Sequence, residues 1–275
     1  MIRVFPHKTK WTPDDDLSFI GWPPLFRPDD QPVRISVAFT WDIELGQRLK
    51  KAWSMYYRDV QLGGPAFDDP GGDFVSGRFI KNGVTITSRG CPKRCPWCFV
   101  PKREGPIREL PIIDGNIVQD NNLLACSKSH ILKVFDMLQS QKTVKFSGGI
   151  DSTLLKEWHR PLFDSINLYE IWLACDSWAS VSPLKKAAGI LDGIPIDKKR
   201  CYVMIGFNGE TLAQAESRLE TVYELGFLPF CQLYKSDKNI VYDNNWKSLA
   251  RKWSRPAAYR SANNPIQKDA KQMCF

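Results

Sequence analysis

The segment Thr87-Ser88-Arg89-Gly90-Cys91-Pro92-Lys93-Arg94-Cys95-Pro96-Trp97-Cys98-Phe99-Val100 carries three cysteines spaced CxxxCxxC. Three thiolates on one tight loop can bind three irons of a cubane cluster and leave the fourth iron without a protein ligand. An open iron can chelate a small molecule. Pro92, Pro96 and Trp97 stiffen such a loop and shield what it holds. Arg89, Lys93, Arg94, Lys102 and Arg103 offset cluster charge, one lever on reduction potential. A structural zinc site is the plainer alternative, but it needs a fourth thiolate or His from a second knuckle. The remaining cysteines and the three histidines, His7, His130 and His159, form none.

The other five cysteines, Cys126, Cys175, Cys201, Cys231 and Cys274, are scattered, mainly in apolar runs. The start, Met1-Ile2-Arg3-Val4-Phe5-Pro6, lacks the apolar run of a secretory signal, so a cytoplasmic setting is expected. A disulfide framework is then a poor reading. The scattered cysteines read as small buried hydrophobes. At 275 residues, 43% hydrophobic and 25% charged, the composition is that of a folded globular chain. No apolar stretch reaches the ~18 residues of a spanning helix, so no membrane partner is expected.

The elements that must position the loop follow from periodicity. Residues 1 to about 32 show no clear period and read as an irregular arm. A strand at 33–40, a helix at 42–58 and a strand at 59–62 read as a small βαβ unit. From residue 84, strands are expected at 84–88, 116–121, 143–147, 168–175, 201–207 and 228–233. Helices are expected at 127–140, from a cap at Asp151 to Phe163, at 182–191, 211–225 and 245–253. Such alternation predicts an α/β fold with a parallel sheet. Six strands are too few for an eight-fold barrel and suit a partial (β/α)6 barrel, open on one side. Its chemistry is expected at the strand carboxyl ends, where Cys91, Asn121, Gly148, Asp176 and Gly206 fall. The expected organisation is an arm and small unit at 1–78, the barrel core at 79–235, and a basic helix and tail at 236–275.

The cysteine segment resembles the signature of the radical S-adenosylmethionine (SAM) superfamily, small phage-type members included. Its Thr-Ser-Arg-Gly-Cys-Pro flank is similar to the branch with cobalamin-binding and methylthiotransferase-like members. The resemblance implies a 4Fe–4S cluster on Cys91, Cys95 and Cys98. It implies that SAM binds the open iron and is cleaved to methionine and a 5′-deoxyadenosyl radical, which abstracts a substrate hydrogen. It implies an electron donor such as flavodoxin or ferredoxin. SAM-binding positions by the same resemblance are Trp97, Asp120, Asn121, Gly148, Gly149, Asp176, Gly206, Asn208 and Glu210. Gly148-Gly149 with Asp151, and Asp176, read equally as turns and helix caps. The small unit at 33–65 resembles one edge of a cobalamin-binding domain, but it is too short and lacks the Asp-x-His-x-x-Gly of the lower cobalt ligand, so cobalamin is disfavoured.

The substrate is approached through charge. The net charge is +8, and residues 244–275 hold seven basic residues and one acid. Arg251, Lys252, Arg255 and Arg260, interleaved with Trp253 and Tyr259, suit phosphate contact with base stacking. From charge alone, a solvated helix face with a loose tail is the slightly favoured reading. By analogy with phage-type proteins encoded near DNA-base modification functions, the first expectation is a nucleobase in DNA or RNA. A peptide or small metabolite is the alternative. From another class, the alternative is a non-catalytic iron–sulfur or zinc protein that binds nucleic acid. Cys126, Cys175, Cys201 and Cys231 lack short-range pairing, which argues against an auxiliary cluster and so against methylthiolation.

Overall fold

Strand β1 (Ile2–Phe5) is buried along its whole length. It runs parallel to β2 (Ser18–Ile20) on one side and to β3 (Val33–Ser36) on the other. Helix α1 (Ile43–Trp53) follows, and β4 (Val60–Gly63) completes a parallel sheet of order β2-β1-β3-β4. The computed structural model describes residues 1–69, 73–235 and 240–262, with backbone alone for 260–262. It divides into two compact units, Met1–Lys142 and a second beginning at Thr143.

The expected irregular arm therefore contains two strands. Arg3 concealed the first by placing a charge inside a central strand. The fold accommodates it by pairing: Arg3 donates to the carbonyls of Gly77 and Arg78, at 2.9 and 3.2 Å, and meets Asp15. Leu49 and Trp53 on α1 pack with Ile2, Val4, Val33 and Ile35 to form the core here. Each such side chain contributes about 1.5–3 kcal/mol on full burial.

The rest of the first unit comprises β5 (Val84–Thr85), β6 (Ser88–Arg89), α2 (Val100–Arg103), β7 (Arg108–Glu109), β8 (Ile117–Val118) and α3 (Lys128–Gln139). β5 and β8 pair in parallel, β6 and β7 antiparallel. The single strand expected over 84–88 is thus two. At the break the Thr87 N–H turns to the Asp120 carboxylate. The Ser127 hydroxyl caps α3 by accepting from the His130 N–H.

The second unit contains β9 (Val144–Phe146), α4 (Arg160–Asp164), β10 (Leu168–Ala174), α5 (Val181–Ile190), β11 (Lys199–Ile205), α6 (Leu212–Glu224), β12 (Leu228–Leu233), α7 (Asn244–Trp253) and α8 (Pro256–Ala262). Strands β9 to β12 lie side by side, all parallel. Cys201, Val203 and Ile205 alternate inward along β11. Thr211 and Gln214 form a capping box at the start of α6, whose Ala215, Leu219 and Val222 turn inward. Among the described residues no helix is long and apolar enough to cross a membrane.

The helix expected from Asp151 to Phe163 is corrected. Asp151 caps only a turn, accepting from the N–H and hydroxyl of Thr153 at 3.0 and 2.7 Å. A short 3-10 turn at Glu157–His159 precedes α4. Pro161 explains the late start, because it brings no N–H and its ring obstructs a continuous helix through it.

His159 is 2% exposed, and its Nδ1 accepts from the Lys156 N–H at 3.0 Å. Burial holds its pKa below the ordinary 6.5. A depressed histidine stabilises the fold fully above its unfolded value and loses that contribution as pH falls through the folded one. The urea midpoint is expected to drop between pH 7.5 and pH 5.5, with a shallower drop in His159→Gln. Equal slopes in the two proteins would reject this role.

Candidate functional site

The cysteine loop departs after β6 and returns at β7. Gly90 holds φ at +86°, and a Cβ there would collide with the carbonyls of Gly105 and Pro106. Only glycine allows the close approach in which the Cys91 N–H donates to Gly105 O at 3.2 Å. The Cys98 N–H donates to Cys95 O at 3.0 Å, closing a tight turn between two of the thiols. Cys91 and Cys95 are half-buried and Cys98 is exposed.

The other described cysteines differ in kind. Cys175, Cys201 and Cys231 are buried. Burial pushes the Cys175 and Cys231 thiols up to about 12 and the Cys201 thiol well above its ordinary value. Cys126, half-buried near Asp120 and Glu109, is pushed up to about 11, again chiefly by burial. The thiolate is the metal ligand, so thiols held this high are poor ligands at neutral pH. Cys274 lies outside the described residues.

Three successive residues after β8 hold the loop. The Asp120 carboxylate, 1% exposed, accepts from the Thr87 N–H at 2.7 Å and from the Thr87 and Ser88 hydroxyls at 2.6 Å each. Burial pushes this carboxyl above its ordinary pKa, while the hydrogen bonds pull the other way. Asn121 Oδ1 accepts from the Gly90 N–H at 3.0 Å. Asn122 Nδ2 donates to the Cys91 sulfur at 3.4 Å. Asp120 and Asn121, expected from the sequence beside SAM, thus have partners inside the protein. Trp97 lies half-buried in the loop.

Glu104 is a site residue that the sequence reading missed. Its carboxylate side chain is 3% exposed and takes both Arg89, at 3.3 Å, and Arg103, at 3.1 Å. Two of the cations expected around the thiols are therefore balanced by a buried acid. Lys102 pairs at the surface with Asp68, at 3.4 Å.

The donor set that the loop offers is three thiols, Cys91, Cys95 and Cys98. Among the described residues no three His, Cys, Asp or Glu side chains are gathered as ligands of a single metal ion.

Within the second unit, the strand ends carry the other expected residues. Gly149 has φ +98° with open space where a Cβ would stand, and Gly148 is exposed. Asp176, after β10, accepts from the Met204 N–H at 2.9 Å. Gly206, after β11, has φ +79° and lies under the Tyr242 ring, so a Cβ would strike that ring. Asn208 is exposed in the left-handed region, φ +53°. Glu210 accepts from the Gly206 N–H at 2.9 Å and pairs with Arg218 at 2.5 Å. Arg218, 1% exposed, was not singled out from the sequence. Its guanidinium also donates to the carbonyls of Cys175 and Met204, at 2.5 and 2.9 Å, tying together the ends of β10 and β11. One signal was available: a lone charge between Ala215 and Val222 on the apolar face of α6.

The C-terminal expectation needs correction. Tyr259 is 0% exposed, its ring stacks on buried Trp253 at 4.9 Å, and its hydroxyl donates to Pro229 O at 3.3 Å. These rings are core and offer no face to a base. Lys247 and Arg251 on α7, and Arg255 just after it, remain exposed. Lys252 pairs with Glu216 at 2.8 Å. The Arg260 side chain lies outside the described residues. Comparison of the chain with protein-family models and with curated proteins gives no match.

Proposed function

We propose that this chain is a radical SAM enzyme built on a partial (β/α)6 barrel. The observation that carries the reading is the loop itself: three accessible thiols, spaced CxxxCxxC and held by buried Asp120, half-buried Asn121 and buried Asn122, in a chain where Cys175, Cys201 and Cys231 are buried. The count of parallel-paired strands from residue 84 onward, β5 and β8 to β12, agrees with the barrel reading.

In this reading Cys91, Cys95 and Cys98 hold a 4Fe–4S cluster, which with bound SAM supplies a reducing electron and a carbon-centred radical. Asp120, Asn121 and Glu104 keep the loop in shape. Gly148, Gly149, Gly206 and Asn208 are the positions of the second unit proposed for SAM, on the strength of the sequence resemblance. Asp176, Glu210 and Arg218 brace the strand ends from which those turns emerge. The substrate is proposed to be a nucleobase in a nucleic acid, supported by the exposed Lys247, Arg251 and Arg255. That contact would read phosphates and not bases, because Trp253 and Tyr259 are buried.

The test is anaerobic reconstitution with iron and sulfide, reduction with dithionite, and assay of SAM cleavage. Bound iron with acid-labile sulfide, and 5′-deoxyadenosine formed from SAM, are expected. Zinc without iron, or an iron–sulfur protein that leaves SAM intact, would overturn the reading. Adding single-stranded DNA or RNA is expected to raise the yield at low salt more than at high salt.

A further inference from the structure

We infer that Asn122 is a positioning residue that tunes the reduction potential of the proposed cluster through Cys91. This rests on the cluster reading above and adds to it a residue with a defined electronic effect. Asn122 is 3% exposed, and its side-chain amide donates to the Cys91 sulfur at 3.4 Å. The backbone around it is fixed. The Ala125 N–H donates to Asn122 O at 3.1 Å and the Cys126 N–H to Leu123 O at 3.1 Å. Leu123 and Leu124, 1% and 6% exposed, anchor that turn in the core. The amide is therefore presented by a rigid, dry turn, where a hydrogen bond to a charged acceptor counts for more than it does in water.

The direction of the effect follows from charge. Reduction adds an electron to the cluster and its thiolates, and an N–H aimed at a ligand sulfur stabilises that added charge. The donor thus favours the reduced state and raises the potential. Asn121 acts differently: it holds the backbone N–H of Gly90 and touches no sulfur in the hydrogen bonds described. Two neighbouring amides are assigned separable roles, one on loop shape and one on redox balance.

The test is a potentiometric titration of the reconstituted protein, followed by electron paramagnetic resonance of the reduced cluster. In Asn122→Leu the ratio of reduced to oxidised cluster at a fixed potential is expected to fall about tenfold, equivalent to about 59 mV for a one-electron couple. Asn122→Asp, which keeps the shape and loses the donor, is expected to fall at least as far. Asn121→Ala is expected to lower the iron content while leaving the potential of the loaded fraction unchanged. A potential in loaded Asn122→Leu or Asn122→Asp equal to wild type would overturn the inference and leave the cluster reading standing. Wild-type protein that takes up no iron would overturn both. Should neither variant hold a cluster, wild-type protein with 15N-labelled asparagine decides. A weak nitrogen coupling in the reduced cluster is expected, and its absence would overturn the assignment.

Discussion

Replacing Cys91, Cys95 or Cys98 with Ala, one at a time, is expected to abolish the iron–sulfur chromophore and SAM cleavage together, each to background. Cys126→Ala and Cys231→Ala are expected to retain both. The separation follows from where the thiols sit. The first three are half-buried or exposed on a loop between β6 and β7, within reach of a metal from solvent. Cys126 and Cys231 are raised by burial to about 11 and about 12, so each would have to leave its surroundings and deprotonate to become a ligand. Iron content, visible absorption and 5′-deoxyadenosine yield, measured on the same preparations, report the two outcomes independently. Loss of the chromophore in Cys126→Ala would show that the loop does not hold the cluster with three ligands alone.

Arg218→Met is expected to cost about 3–5 kcal/mol of stability, the range for breaking one side of a buried ion pair. The guanidinium is 1% exposed and serves three acceptors: the Glu210 carboxylate and the carbonyls of Cys175 and Met204. Removing it leaves Glu210, whose side chain is 12% exposed, without its counter-charge, and leaves two carbonyls short of a donor. The double variant Arg218→Met/Glu210→Gln is expected to recover part of the loss, because it no longer buries an uncompensated charge. Arg218→Lys keeps the charge but not the planar fork, and is expected to fall between wild type and Met. Denaturant unfolding of the four proteins measures all of this. A loss under about 1 kcal/mol in Arg218→Met, the size expected for surface pairs, would show that the arrangement is not structural. Glu210 also holds the Gly206 N–H, so the same variants are expected to loosen the turn proposed for SAM.

The longer strands and helices after residue 84 were legible in the sequence because apolar period is a local property, whereas α2, β7 and α8 were not. β10, α6, β12 and α7 fall within two residues of their expected bounds. The helix beginning at Asp151 was not legible as drawn, since Asp151 bonds to Thr153 in a turn and Pro161 sets the later start. β1 was missed because Arg3 breaks its pattern, and a buried arginine makes sense only once the carbonyls of Gly77 and Arg78 stand beside it.

By itself, the sequence determined the alternation of elements, the spacing of Cys91, Cys95 and Cys98, and the need for glycine-bearing turns at the strand ends. Each is written in neighbouring residues, where chain geometry alone dictates the outcome. Only the tertiary structure decided what Asp120, Asn121 and Asn122 do, because their partners lie 31 to 33 residues away in sequence. It likewise brought Arg89 and Arg103 onto Glu104, and Arg218 onto Cys175 O, 43 residues away. It also turned Trp253 and Tyr259 into core, although their setting among Arg251, Lys252 and Arg255 suited a nucleic-acid surface equally well. A side chain's environment is set by what packs against it, and composition along one helix does not say which face that will be.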